Sequence, residues 1–298
     1  GELAADHIEA IYGIVNGTCN YILTAMTGDG RTYAEALAVA QQRGLAEADP
    51  TLDVAGGDSA HKLTIIAALA FARRIDLEKI HVEGIDALEL QDIRYGQELG
   101  YVIKLLAIAR RGDDDALSLR VHPAFISDRH PLAWVSGPFN AVSVYADHSG
   151  HTMYYGRGAG GTPTASAIVG DIASVALGIA GRSFADLGVW PDRAAPAEQA
   201  DISTIRSRYY LRLQVADRPG VFATVANVLG ERDISISSVL QHESSGESPD
   251  QGVPVVITTA EASEANVVSA LNIFNNHPTV KRPAVCIRMV DEHPERVE

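Results

Sequence analysis

The sequence predicts an α+β protein: a mixed-sheet domain with helices on one face, followed by a ferredoxin-like β-α-β-β-α-β module. Three observations predict it. Helical and strand periodicities alternate irregularly up to about residue 190, a Pro/Ala-rich stretch interrupts the chain there, and a regular β-α-β-β-α-β pattern follows. A chain of 298 residues is long enough for two hydrophobic cores.

Taken in order, Thr32 and Glu35 form a capping box, and the alanine-rich run behind them reads as a helix over Tyr33–Arg43, closed by Gly44. Glu47–Gly57, with Pro50 and paired glycines, reads as an ordered loop. Asp58 stands where an N-cap would stand, ahead of a strongly apolar helix reaching Ala72. The apolar run over Gln97–Arg110 reads as a further helix. Leu117–Val121, Ala141–Tyr145 and Thr152–Tyr155 read as strands, and Pro163 opens a helix over Thr164–Ile179.

Pro191–Glu198 reads as a linker. Beyond it Tyr209, Leu211, Leu213 and Val215 alternate with Tyr210, Arg212 and Gln214, the pattern of a half-buried strand with its second row facing solvent. Asp217-Arg-Pro-Gly220 turns the chain into a helix in which Val221, Phe222, Val225, Val228 and Leu229 recur at helical spacing. Strands around Ile236 and over Val253–Thr258 flank a polar hairpin loop at Ser244–Gln251. A second helix around Val267–Phe274 and a last strand around Ile287 complete the module.

A formal charge of −14 argues against a nucleic-acid or anionic-membrane partner, both of which demand a basic surface. The longest apolar stretch, Ile65–Ala72, is far short of the ~20 residues that a membrane span needs. Cys19 and Cys286 form neither a disulfide framework nor a zinc pattern, so no metal is expected and a reducing cytoplasm is. The chain opens at Gly1 rather than methionine and enters structured sequence at once, which points to part of a longer polypeptide.

The chemistry concentrates between Glu47 and Lys62. Asp58 and Lys62, four residues apart on the expected helix, share a face. Lys62 sits in the first turns, where the positive end of the helix dipole disfavours an ammonium and favours release of its proton. Glu47, Asp49 and Asp53 arrive on the preceding loop, suited to an α-ammonium group. Upstream, Asn16-Gly17-Thr18 precedes an apolar helix whose N–H groups suit a carboxylate. Spacing alone leaves the plainer reading open: an aspartate cap salt-bridged to a lysine at i+4, beside a solvated acidic loop. Gly156-Arg-Gly158-Ala-Gly-Gly161 satisfies G-x-G-x-x-G, but only about 30 residues separate it from the linker, too few to complete a dinucleotide-binding sheet.

Three ordered strings carry a resemblance. Gly13-Ile-Val-Asn-Gly-Thr-Cys-Asn-Tyr-Ile-Leu23, Gly44-Leu-Ala-Glu-Ala-Asp-Pro50 and Asp53-Val-Ala-Gly-Gly-Asp-Ser-Ala-His-Lys62 resemble the homoserine dehydrogenase family. The resemblance implies interconversion of aspartate 4-semialdehyde and homoserine with NADP or NAD, Lys62 as the acid/base lysine, and Glu47, Asp53 and Asp58 on the substrate, with Gly17 and Thr18 near it. Gly156 through Asp171 resembles the same family, which implies backbone contact of Gly158, Ala159 and Gly160 with the cofactor; a tight strand-to-helix turn is the structural alternative. Leu99–Ala109 also matches, with Lys104 read as structural. Residues 207–298 resemble an ACT domain, which implies feedback control, with threonine as the expected effector and Asp217 and Gly220 at the effector site; an edge-pairing unit without ligand is the alternative. The domain division is 1–190 for substrate, catalysis and dimerisation, 191–206 as connection, and 207–298 for regulation. A homo-oligomer, dimer or tetramer, is expected. The family's nucleotide-binding domain precedes the segment present here, and with it a second catalytic lysine and most contacts to a cation reported for some members. The chain alone is therefore expected to turn over weakly or not at all. Rival readings are an amino-acid-sensing binding module, or a regulatory subunit served by a separate cofactor-binding chain.

Overall fold

Nine strands of this chain join edge to edge into the path of a single sheet, although two sequence modules supply them. The computed structural model describes residues 6–186, 188–190, 193–241 and 252–293. The first module runs β1 (Ile8–Ile14), α1 (Gly17–Asp29), α2 (Tyr33–Gln42), α3 (Thr51–Val54), α4 (Gly57–Phe71), β2 (His81–Val82), α5 (Leu90–Glu98), β3 (Tyr101–Arg111) and β4 (Leu117–Ser127). It continues through β5 (Phe139–Ala146), β6 (Gly150–Arg157), α6 (Gly161–Ala176) and α7 (Ile179–Asp186). The second module comprises β7 (Arg206–Val215), α8 (Val221–Gly230), β8 (Ile236–Leu240), β9 (Val253–Thr259), β10 (Ala262–Ser263), α9 (Glu264–Asn276) and β11 (Val280–Val290).

The strand order is β6-β5-β1-β3-β4-β11-β7-β9-β8, with β2 paired to β4 and β10 to β7. The two modules meet where β11 runs parallel to β4, with Arg288 opposite Ala124, Met289 opposite Phe125 and Val290 opposite Ile126. β2 also pairs with β4 in parallel, and the remaining pairings are antiparallel, so the sheet is mixed. Helices cover opposite faces of its two halves. Ile22, Met26, Leu63 and Ala67 of α1 and α4 build the core on one face together with Ile103, Leu105 and Val121; Val225, Leu229, Val267 and Phe274 of α8 and α9 build another with Tyr209, Leu211 and Leu213.

Several expectations are corrected. Gln97–Arg110 is not a helix: α5 ends at Glu98, Gly100 turns the chain at φ +82°, and β3 follows. β3 is buried from Ile103 to Ala109 on both faces, so its sequence lacks the alternation that betrays a strand. Asp58 does not cap α4. Gly56, in the left-handed region at φ +87°, holds that place and Asp58 lies in the first turn. The loop over Glu47–Gly57 contains the short helix α3.

Residues 195–200 are not a free linker, because this stretch docks as a strap on the first module. Arg74 N–H donates to Ala195 O at 2.8 Å, Ala197 N–H to Arg74 O at 2.9 Å and Leu117 N–H to Glu198 O at 2.8 Å. Pro191 and the Ser244–Gln251 hairpin expectation lie outside the described residues. Tyr210 and Arg212 do not face solvent. They are 0% and 6% exposed, because α5 of the first module covers that face of β7. Tyr210 Oη donates to Asp92 Oδ1 at 2.8 Å, and Arg212 holds both Asp92 oxygens at 2.6 and 2.9 Å.

Among the described residues no single helix is long and apolar enough to cross a membrane; α6 and α7 reach that length and composition only as a pair bent by 78°. α6 leaves Ile168, Val169, Ile172 and Val175 exposed.

Candidate active site

Asn16 organises the site. It is the N-cap of α1, its Oδ1 accepting from Cys19 N–H at 2.8 Å, which satisfies one of the helix's orphan donors. Its Nδ2 donates at once to Asp53 Oδ1 at 2.7 Å and Asp58 Oδ2 at 2.8 Å. One amide thus clamps carboxylates from α3 and α4. Asp58 Oδ2 also accepts from Lys62 Nζ at 2.7 Å, and Lys62 donates a second hydrogen bond to Val15 O at 3.0 Å. An ammonium has three donors, so the hydrogen bonds to Asp58 and Val15 leave one N–H, on a side chain 44% exposed. Asp58 and Lys62 are therefore salt-bridged, as spacing alone anticipated, but the pair is also tied to β1 and to α3.

The Cys19 thiol donates to Asp53 O at 3.2 Å. Burial, reinforced by the charges of Asp53 and Asp58, pushes this thiol up, which disfavours the thiolate.

Val15 O has a further donor: Asn140 Nδ2 on β5, at 3.2 Å. Asn140 lies opposite Gly156 in the β5–β6 register, and it sits against the glycine turn. A Cβ on Gly158 would stand 2.0 Å from Asn140 Nδ2, so any side chain there displaces the Asn140 amide. Gly160 caps α6 at φ +125°, a conformation reserved for glycine, and no side chain caps that helix. The Gly161 and Thr162 N–H groups have no acceptor inside the helix and Pro163 has none to donate, which leaves an exposed anion-binding end. Gly158, Ala159 and Gly160 are all exposed. The structure thus brings the glycine turn to the back of the lysine network through Asn140.

Gly17 and Thr18 stand at the start of α1. A Cβ on Gly17 would lie 2.9 Å from Pro138 O, and Thr18 Oγ1 donates to Leu45 O at 2.7 Å, fastening the loop that carries Glu47. Glu47 itself is exposed. Its carbonyl accepts from Gln41 Nε2 at 3.1 Å, and no described hydrogen bond ties its carboxylate to Lys62. Asp49 likewise turns away, onto Thr51. Asp217 and Gly220 lie exposed on the β7–α8 turn, on the second module, where Gly220 adopts φ +89° at the start of α8.

Two positions of this network escaped the sequence reading. Asn16 was visible only as part of a helix start, and nothing in the sequence marked it as the clamp between Asp53 and Asp58. Asn140 carried no signal, since its placement comes from strand register.

The first module matches a family model. The homoserine dehydrogenase model covers residues 1–173, more than half of the chain. The chain belongs to the homoserine dehydrogenase family. The ACT-domain model matches residues 209–275. The homoserine dehydrogenase of Pseudomonas aeruginosa is 42% identical over 96% of this chain and 66% of its own length. That of Corynebacterium glutamicum is 39% identical, over 96% and 64%. A solved homoserine dehydrogenase from Thiobacillus denitrificans superposes with a TM-score of 0.88 at 39% identity, covering 97% of this chain and 66% of that one. The chain spans about two thirds of the length of the homoserine dehydrogenases it matches.

Proposed function

We propose that this chain supplies the substrate and acid/base half of a homoserine dehydrogenase, interconverting L-aspartate 4-semialdehyde and L-homoserine. The observation that carries the reading is the Lys62 network, an ammonium held by Asp58 and Val15 O with one donor left over. In reduction, Lys62 gives that proton to the carbonyl oxygen as it gains alkoxide character; in oxidation it takes the hydroxyl proton back. Asp53 and Asp58, oriented by Asn16, suit the α-ammonium, with Glu47 at the outer rim. The Gly17 and Thr18 N–H groups at the start of α1 suit the α-carboxylate.

NAD or NADP supplies the hydride when bound. The residues present fit such a cofactor: a side chain at Gly158 would displace the Asn140 amide, and the uncapped start of α6 with Ala159 and Gly160 suits its phosphates. Asn140, between the glycine turn and Val15, keeps cofactor and lysine in register.

The ACT module, residues 207–298 after the 191–206 connection, supports feedback control by an amino acid such as threonine at the Asp217–Gly220 turn. The uncovered apolar face of α6 supports packing against a further domain or a second subunit, in a homo-oligomer. Two free thiols suit a reducing cytoplasm. An amino-acid sensor explains the ACT module but not the clamp on Lys62.

The test is Lys62→Ala in an enzyme that joins this chain to its nucleotide-binding domain. The expected result is a fall in kcat of about 10² or more with substrate binding kept. A change confined to KM removes Lys62 from the proton-transfer role.

A further inference from the structure

A second site is built where the two modules meet, on the sheet face away from α1 and α4. Two adjoining cavities, of about 170 and 380 Å³, open there and share Arg110, Arg120 and Arg206 in their walls. Arg208 lines the smaller and Arg111 the larger. Such a concentration of guanidinium groups is unexpected in a chain of charge −14.

Arg120 is the anomaly. It is 4% exposed, its Nη1 donates to the neutral Ser118 Oγ at 2.7 Å, and its buried Nε has no partner. Among the described residues no carboxylate pairs with it. Burial pushes its guanidinium down to about 10, with the positive charges of Arg110 and Arg288 acting in the same direction. A buried, uncompensated charge costs several kcal/mol. The other buried arginines do not bear that cost: Arg212 holds Asp92, and Arg288 holds Glu83 and Glu264.

The neighbours deepen the imbalance. Among the described residues Arg110 has no ion pair, and Arg206 donates to the main-chain Glu261 O at 3.1 Å rather than to a carboxylate. Arg208 is already neutralised by Asp291 at 3.1 Å. Glu261 and Glu292 also line the smaller cavity and Asp114 and Glu261 the larger, and among the described residues none of them has an ion pair to Arg110, Arg120 or Arg206. An anion seated between Arg110, Arg120 and Arg206 would supply the missing charge and the missing acceptors together.

We infer that these cavities form a binding site for a small multivalent oxyanion, of the phosphate type, clamped between the β3–β4 hairpin of the first module and the β7 and β11 ends of the ACT module. Guanidinium forks match oxyanion geometry, and most of the residues around the smaller cavity are polar or charged, with Tyr12, Met289 and Val290 as its apolar members. The site is separate from Lys62 and does not depend on the chemistry proposed there. Because its arginines come from both modules, occupancy stiffens the seam between them.

The test titrates inorganic phosphate against the whole chain at constant ionic strength, with chloride as the monovalent control, and follows Tm and binding heat. Expected is saturable binding of a single phosphate and a rise in Tm that follows occupancy. Arg110→Gln, at a half-buried position whose loss leaves the fold intact, is expected to weaken phosphate binding at least about tenfold, the effect of losing one charge-assisted hydrogen bond. Arg120→Gln is expected to abolish it. An equal Tm rise in wild type and Arg110→Gln would be the general salting effect of phosphate and overturns the proposal, as does the absence of binding heat.

Discussion

The side-chain amide of Asn16 and the Nζ of Lys62 donate to the same oxygen of Asp58, at 2.8 and 2.7 Å. That carboxylate therefore has its lysine-facing oxygen fixed from two directions. Asn16→Asp keeps the size and the capping oxygen but turns two donors into a third negative charge beside Asp53 and Asp58. In the complete enzyme kcat/KM is expected to fall about tenfold or more, in line with unpairing buried polar groups, while Tm moves by only a few degrees. Steady-state kinetics beside a thermal melt check this; unchanged kinetics would show that the clamp is incidental.

Gly158 and Asn140 form the second dependency. A methyl at Gly158 collides with the Asn140 amide and drives it off Val15 O. Gly158→Ala is expected to raise KM for the nicotinamide cofactor several-fold. Combining it with Asn140→Ser, which makes room for the methyl, is expected to restore part of the affinity. Failure of that rescue would separate the two residues.

Lys104 sits on β3, 3% exposed, donating to Val135 O at 2.6 Å, with no carboxylate beside it among the described residues. Burial lowers its pKa to about 8. Below that pH the folded protein bears the full cost of a buried ammonium. As pH rises from about 8 toward the unfolded value of 10.5, the folded state loses the proton first, so unfolding consumes protons and stability increases. Denaturant titrations between pH 7 and 10 are expected to show this rise, on the order of a few kcal/mol. Lys104→Met is expected to flatten it; an identical slope in the variant would place its origin elsewhere.

At the seam, Asp92 is 1% exposed and carries both Arg212 and Tyr210. Asp92→Ala leaves the buried Arg212 guanidinium with Glu89, at 2.8 Å on Nη2, as its remaining carboxylate, and is expected to cost about 3 kcal/mol, the low end for breaking a buried pair. Replacing both charges with leucine is expected to recover most of the loss. Chemical denaturation of the single and double variants checks this. An additive double variant would mean that the pair is not coupled.

The sequence was most legible where local rules govern. The capping box at Thr32, the Asp58–Lys62 spacing and the β-α-β-β-α-β order are all set within a few residues or by simple periodicity, and each appears in the structure. Long-range covering hid the rest. β3 reads like a helix because both of its faces are buried, and Arg212 reads as solvent-facing because α5, more than a hundred positions earlier, covers it. Within the site, Lys62, Asp58 and Asp53 converge, whereas Glu47 stays outside the network. Acidic character and proximity in sequence do not specify direction. Asn140 and the seam arginines depend on which strands become neighbours, and no local pattern carries that information.

The parallel pairing of β11 with β4 has a consequence for how the chain comes to be folded. β4 is completed at Ser127, yet its partner β11 begins only at Val280. During synthesis the outer edge of β4 stays open while the connecting strap and the ACT module emerge, so an apolar strand waits for closure by a strand made long after it. The docked strap at residues 195–200 and the short β2 partner are the elements available to guard that edge meanwhile. Ribosome-bound intermediates that stop short of β11 should be the aggregation-prone species of this protein.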